Sequence, residues 1–216
     1  MIERTRLRAL QGGASKAHAE VVLLASEQEL LDGIVRGDDR IAAELYRRLL
    51  PAVEMSLVRV FGRREAEHED LVQIVFEQII LTLAKQSYAQ ACSLKTWASS
   101  IAARVALKTL RNRYRQRKVF DFRAEPELVN LQRSPDDVER QVASRQSVQR
   151  LREELSQLAP PKAEAVVLHD VLGHGLLEIA AMTGTSVTAA QTRLSRGRRE
   201  LAVRLGLDAE DERIET

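Results

Sequence analysis

Four arginines fall within seven positions near the C-terminus, Arg193, Arg196, Arg198 and Arg199, with no acid among them. Gln191, Thr192 and Ser195 are interleaved with them. An arginine can bond a guanine edge through two parallel N–H groups, and a glutamine can do the same with adenine. The remaining guanidiniums suit phosphates, which set a protein's register on a duplex. An ordinary amphipathic helix with solvated arginines is the plainer explanation of such a run. The lack of any balancing acid favours nucleic-acid contact over it.

A second basic run, Arg111, Arg113, Arg115, Arg117 and Lys118, places five cations in eight residues. Cations complement a helix C-terminus, but that effect is small and needs fewer of them. Contact with a phosphate backbone is the preferred reading. Ahead of this run stands Ser93-Leu94-Lys95-Thr96-Trp97, ending in the only tryptophan. A tryptophan at a helix start is usually a core residue. Beside polar groups and a cationic helix it can also stack on an unpaired base. Glu65, Glu67, Glu69 and Asp70 open the preceding helix, where acids suit the N-terminus. They also make a docking surface for a basic partner.

No arrangement for catalysis is visible. The chain has no glycine-rich phosphate loop and no nucleophile–base pair, and His169 and His174 read as structural or surface groups. A single cysteine, Cys92, and four scattered histidines exclude a disulfide framework and give no metal-ligand spacing. No enzyme, metal or cofactor is therefore expected. Cys92 reads as a passive small residue, since no second cysteine can pair with it. No apolar run approaches the roughly 20 residues that span a bilayer. Val21–Ala25 is too short for a secretory core. The expectation is a soluble, cytoplasmic chain without membrane insertion.

These groups must be positioned by helices. Aromatics make up 4% of the 216 residues, with 10 Gly and 5 Pro, while Ala, Leu, Arg and Glu abound. That composition predicts an all-α chain. The net charge is only +2, from 33 Lys+Arg against 31 Asp+Glu, so function depends on where the charges sit. Residues 1–26 read as an extension. Leu30, Leu31, Ile34 and Val35 form one helical stripe. A second stripe runs from Ile41 to Phe61, with Pro51 in a first turn or at a kink. A third helix runs from about Glu67 to Leu83, and a fourth from about Lys95 to Lys118. Together they predict a helical domain over 27–120. Residues 121–143 carry Asp121, Glu125, Glu127, Asp136, Asp137 and Glu139 with Pro126 and Pro135, an acidic, flexible linker. In the free chain that linker is expected to fold over the basic faces.

A second small domain is read over 144–205, with helices about Ser144–Leu158, Lys162–Leu172, Leu176–Met182 and Thr188–Leu205. An acidic tail, 206–216, follows. The last two helices, joined by Gly184-Thr185-Ser186, make a helix-turn-helix. Ser186 is the expected N-cap of the second.

The residues alone leave four readings: a polymerase-bound initiation factor, a stand-alone helix-turn-helix regulator, an enzyme, or a protein-binding adaptor. The motifs then narrow them. Glu69-Asp70-Leu71-Val72-Gln73-Ile74-Val75-Phe76, Ser93-Leu94-Lys95-Thr96-Trp97 and Ile101-Ala102, followed by the arginine-rich end, resemble region 2 of a bacterial sigma factor. Glu178-Ile179-Ala180, Gly184-Thr185-Ser186-Val187 and Thr192-Arg193-Leu194-Ser195-Arg196-Gly197-Arg198 resemble region 4. Two regions alone on a short linker are similar to the extracytoplasmic-function group of the sigma-70 family. The resemblance covers about Glu27–Lys118 and Ser144–Leu205.

It implies a transcription initiation factor that binds core RNA polymerase and promoter DNA. Region 2 would meet the beta-prime coiled coil, through Glu69, Asp70, Gln73 and Phe76. Its Ser93, Leu94, Lys95, Thr96 and Trp97 would form the −10 loop, followed by Arg104, Arg111, Arg113 and Arg115. Region 4 would meet the beta flap and read the −35 element. There Ser186, Gln191, Thr192, Arg193, Ser195, Arg196, Arg198 and Arg199 would act. The family often employs an anti-sigma factor, which adds that partner to those implied. Three positions depart from the pattern: Ala103-Arg104 stands where Arg-Asn is common, Ser99 where Tyr is, and Gly175 where a Ser or Thr cap is. Arg104 is then expected on phosphate.

Overall fold

The computed structural model describes residues 26–121 and 137–207. The extension, the linker acids Glu125, Glu127 and Asp136 with their expected folding-over, and the tail beyond Leu207 lie outside the described residues. Every regular element among the described residues is a helix.

Each start is set by local chemistry. α1 (Glu27–Arg36) begins at Ser26, whose hydroxyl accepts from the Glu29 N–H at 3.3 Å while the Glu29 carboxylate accepts from the Ser26 N–H at 2.7 Å. It ends at Gly37, where φ is +74°. Asp38 caps α2 (Asp39–Phe61) by accepting from the Arg40 N–H at 2.9 Å. Pro51 sits inside α2, which continues through it because Leu45, Leu49, Val53 and Leu57 are buried on either side. α3 is His68–Ala84 and α4 is Leu94–Asp121. These four helices bury Leu30, Leu57, Val72, Phe76, Ile79 and Ala102.

α5 (Asp137–Gln157) begins earlier than the sequence stripe suggests, inside the stretch read as linker. The pair Pro160-Pro161 starts a helix rather than only ending one. α6 (Pro160–Val166) has proline in its first turn, where the missing N–H costs nothing. It runs on into a single π-helical turn, Val167–Val171. α7 (Leu176–Thr183) and α8 (Val187–Leu205) complete the helix-turn-helix.

The two helical units pack on each other. α4 lies against α5, α6 and α7, and the buried apolar residues of both units form one cluster. Three residues expected at a partner surface prove to be part of it. Phe76, Leu94 and Trp97 are 1%, 1% and 8% exposed. Their motif positions fall on inward helical faces, where large apolar side chains contribute most to stability. Phe76 packs on Tyr46 with ring centroids 4.4 Å apart, so it supports the α3 surface from behind.

Candidate nucleic-acid interface

Local chemistry fixes how α8 leaves the turn. Gly184 turns the chain with φ +62°, and the Ser186 hydroxyl accepts from the Ala189 N–H at 3.1 Å. Gly175 has no side chain to cap α7, but its N–H donates to the Glu178 carboxylate at 3.1 Å. Ala190, Leu194, Gly197 and Leu201 are buried. The helical period then turns Thr192, Ser195, Arg196 and Arg199 outward, with Gln191 exposed at their edge. Arg196 and Arg199 have no acidic partner among the described residues. Arg193 is half-buried beside Glu164. Arg198 is held by Asp170, its Nε donating to Oδ2 at 3.0 Å.

On α4, Arg104, Lys108, Arg111 and Arg115 fall three or four residues apart and share one face. Lys108 is an exposed cation that the sequence reading missed, although this spacing was there to find it. Four of the eight α4 cations are held by acids or carbonyls. Arg104 pairs with Glu164 at 3.5 Å, and burial pushes the Glu164 carboxyl up. Arg111 donates to the main-chain carbonyls of Ser156 at 3.1 Å and Leu158 at 3.3 Å. Arg117 meets Glu153 at 2.7 Å. Arg113 donates to Glu65 at 2.8 Å and also holds Glu67, so two of the four acids in the cluster are tied to α4. Burial would raise the Glu65 carboxyl, but bonds from Arg63 and Arg113 hold it below its usual range. Lys108 and Arg115 are exposed with no acidic partner among the described residues.

Ser93 caps α4, accepting from the Thr96 N–H at 3.2 Å. Ser93 and Lys95 are exposed, while Thr96 is half-buried. Trp97 packs on Tyr88 with centroids 4.8 Å apart. The Tyr88 hydroxyl donates to the Cys92 carbonyl, and burial pushes its phenol up to about 12. Burial also raises the Cys92 thiol, which suppresses the reactive thiolate. A crevice of about 290 Å³ lies between this loop and the helix-turn-helix, lined by Tyr88, Cys92, Arg104, Met182 and Gly184.

At the start of α3, Asp70 is exposed without an ion pair among the described residues, whereas Glu69 is held by Arg64. Gln73 is half-buried and bonds Glu77 at 3.5 Å.

Two family models match in order: Sigma-70 region 2 over residues 45–116, and Sigma-70, region 4 over residues 148–201. The chain is also 34% identical over 165 residues to RNA polymerase sigma factor CarQ of Myxococcus xanthus, covering 76% of this chain and 88% of that protein. The chain belongs to the sigma-70 family, in its extracytoplasmic-function group. RNA polymerase sigma factor CnrH of Cupriavidus metallidurans is 30% identical over 181 residues, covering 81% of this chain and 91% of CnrH. A solved structure of CnrH with the cytosolic domain of CnrY has 24% identity and a TM-score of 0.45, over 84% of this chain and 96% of that one. As a sigma factor the chain is a transcription initiation factor that binds core RNA polymerase and promoter DNA. α2–α4 carry its region 2, and α5–α8 its region 4. No helix among the described residues is long and apolar enough to cross a membrane, and none of their His, Cys, Asp and Glu groups could hold a metal.

Proposed function

We propose that this sigma factor reads the −35 element with the outer face of α8 and holds the −10 element with the exposed α4 start and its basic stripe. Asp70 docks the beta-prime coiled coil. The observation that carries this is the outer face of α8. Arg196 and Arg199 stand there beside Thr192 and Ser195, without an acid to neutralise them among the described residues. Cations left unpaired on one helical face suit a phosphate backbone, with polar neighbours to meet base edges. On α4, Lys95, Lys108 and Arg115 are the cations ready for phosphate, and Arg104 and Arg111 join them once region 4 moves away. Trp97 shapes the −10 loop from inside, while Ser93 and Lys95 face outward. The protein acts in the cytoplasm, without catalysing a reaction itself, and an anti-sigma factor of the kind the family employs would bind it there.

The test is co-elution with core RNA polymerase, followed by promoter binding of the reconstituted holoenzyme. Asp70→Ala is expected to weaken co-elution. Arg196→Ala is expected to leave co-elution intact but lower promoter affinity about tenfold, and to reduce the salt slope by about one. Full promoter affinity in Arg196→Ala and Arg199→Ala together would overturn the α8 assignment. A stand-alone regulator would instead bind promoter DNA specifically without polymerase.

A further inference from the structure

Arg198 does not behave like its neighbours on α8. Its Nε donates to Asp170 Oδ2 at 3.0 Å, its Nη2 also reaches Asp170 Oδ1, and Nη2 lies 3.0 Å from His169 Nδ1. Two parallel bonds from one guanidinium to one carboxylate fix the mutual geometry of the groups more tightly than a single bond does, even where the pair is part-exposed to water. Asp170 and His169 reach it because α6 does not end as an α-helix. The chain widens into the π-helical turn Val167–Val171, and both residues lie in that turn. Single π turns inside helices often mark functional placement.

The pairing is one side of a brace. α6 crosses α8 with the backbones close at Gly197, where an added Cβ would lie 2.8 Å from Val166 Cγ2 and 3.1 Å from the Lys162 carbonyl oxygen. At the crossing itself Gly197 puts no side chain between the helices, so the rotation of α8 is set by its buried Leu194 and Leu201 and by the ion pairs flanking the crossing. On one flank Lys162 Nζ meets Glu200 Oε2 at 2.7 Å. On the other flank stand Asp170 and Arg198. Charged struts on both sides of the crossing add to the buried leucines in resisting small turns of the helix about its own axis. Rotation matters because side-chain tips lie about 5–6 Å from the helix axis. A turn of about 20° moves such a tip by about 2 Å, enough to break a hydrogen bond to a base edge.

We propose that Asp170, assisted by His169, is a positioning residue for promoter recognition: it clamps Arg198 and so sets the rotation at which Thr192, Ser195, Arg196 and Arg199 meet the −35 element. Arg198 is a strut and makes no DNA contact. The inference rests on α8 being the −35 reader.

The test uses holoenzyme reconstituted from core RNA polymerase and full-length chain. The probe is a duplex selected by wild-type holoenzyme from a random-sequence library, together with copies carrying single −35 base-pair changes. Asp170→Asn, which keeps the side-chain shape, and Arg198→Ala are each expected to cut discrimination among these duplexes about fivefold or more. Neither should change the slope of log affinity against log salt. The double variant should be no worse than either single one. The reversed pair, Asp170→Arg with Arg198→Asp, should regain most of the discrimination, a rescue that loss of a DNA contact would not show. A salt slope reduced by about 0.9 in Arg198→Ala, with full discrimination in Asp170→Asn, would make Arg198 a phosphate contact and overturn the proposal. Unchanged discrimination in both variants would overturn it as well. A Thr192→Ala, Ser195→Ala variant, which removes the polar groups assigned to base edges, separates the two layers: if it too discriminates fully, α8 is not the −35 reader, whereas if it alone fails, only the brace is refuted.

Discussion

Arg152 of α5 donates to the main-chain carbonyl of Val60 at 3.2 Å, 92 residues earlier in the chain. Val60 lies in the last turn of α2, whose final carbonyls lack helical partners. Region 4 therefore supplies a cap for a region 2 helix. The guanidinium lies against Gly62, where a Cβ would come within 1.8 Å of Arg152 Nη2. Gly62 also has φ +67°, a conformation that costs a side-chain-bearing residue about 1–2 kcal/mol.

Gly62→Ala is accordingly expected to displace Arg152 and loosen the seat of region 4 on region 2. Arg111 and Arg117 donate to the same α5 end and would be released with it. The expected outcome is a larger radius of gyration in small-angle scattering, and a several-fold higher affinity of the free chain for random-sequence duplex. A folded variant with unchanged size and unchanged DNA affinity would show that Arg152 does not hold the units together.

Asp70 and Phe76 should respond differently to truncation, although one motif suggested both. Asp70 is exposed at the α3 start, and Phe76 is buried against Tyr46. Asp70→Ala is expected to shift stability by less than about 0.5 kcal/mol while weakening polymerase binding. Phe76→Ala is expected to cost about 3–5 kcal/mol of stability. Chemical denaturation alongside co-elution with core polymerase distinguishes them. A Phe76→Ala variant with wild-type stability and lost polymerase binding would put the ring back at the interface.

The helices were legible because their stripes and caps are local. Ser186 caps the helix its position suggests, and Gly37, Gly62, Gly184 and Gly206 each end one, whereas the caps Ser26 and Asp38 show only in the structure. The outward residues of α8 were legible for the same reason, once Ala190, Leu194 and Leu201 fixed the inner face. The occupied state of the basic residues was not. Arg111 bonds carbonyls 45 and 47 residues away, and Arg198 meets an aspartate 28 residues earlier. Sequence spacing shows that a cation lies on a face, but not which acid or carbonyl the tertiary fold brings to it. The π turn was equally hidden, since Val167–Val171 reads like any other apolar helix segment.

His68 begins α3 at 2% exposed, and neither ring nitrogen has a hydrogen-bond partner among the described residues. Its Nε2 lies 3.8 Å from Glu54 Oε1, too far for a hydrogen bond. A buried polar group left without a partner costs roughly 1–3 kcal/mol against an apolar side chain of similar size. His68→Leu is therefore expected to hold or raise the melting temperature at neutral pH, and to leave polymerase binding intact. A loss of stability above about 1 kcal/mol would mean that His68 makes a polar interaction the side chain alone provides.

The Asp170–Arg198 pair predicts a defined dependence of stability on acidity. Hydrogen bonding from Arg198 outweighs burial and holds the Asp170 carboxyl below its ordinary 3.8. With the folded value depressed, the unfolded chain binds the proton more readily. The pair's contribution is thus fully present above the unfolded value and is lost as pH falls through the folded one. Wild type should melt above Asp170→Asn at pH 7, and the gap should narrow steadily from about pH 4 downward. Arg198→Ala should show the same convergence, because it removes the cause of the depressed value. Thermal melts of all three chains from pH 7 to pH 3 measure it. Parallel curves, with a gap that does not change with pH, would mean that Asp170 titrates alike in the folded and unfolded chain and that Arg198 does not hold it.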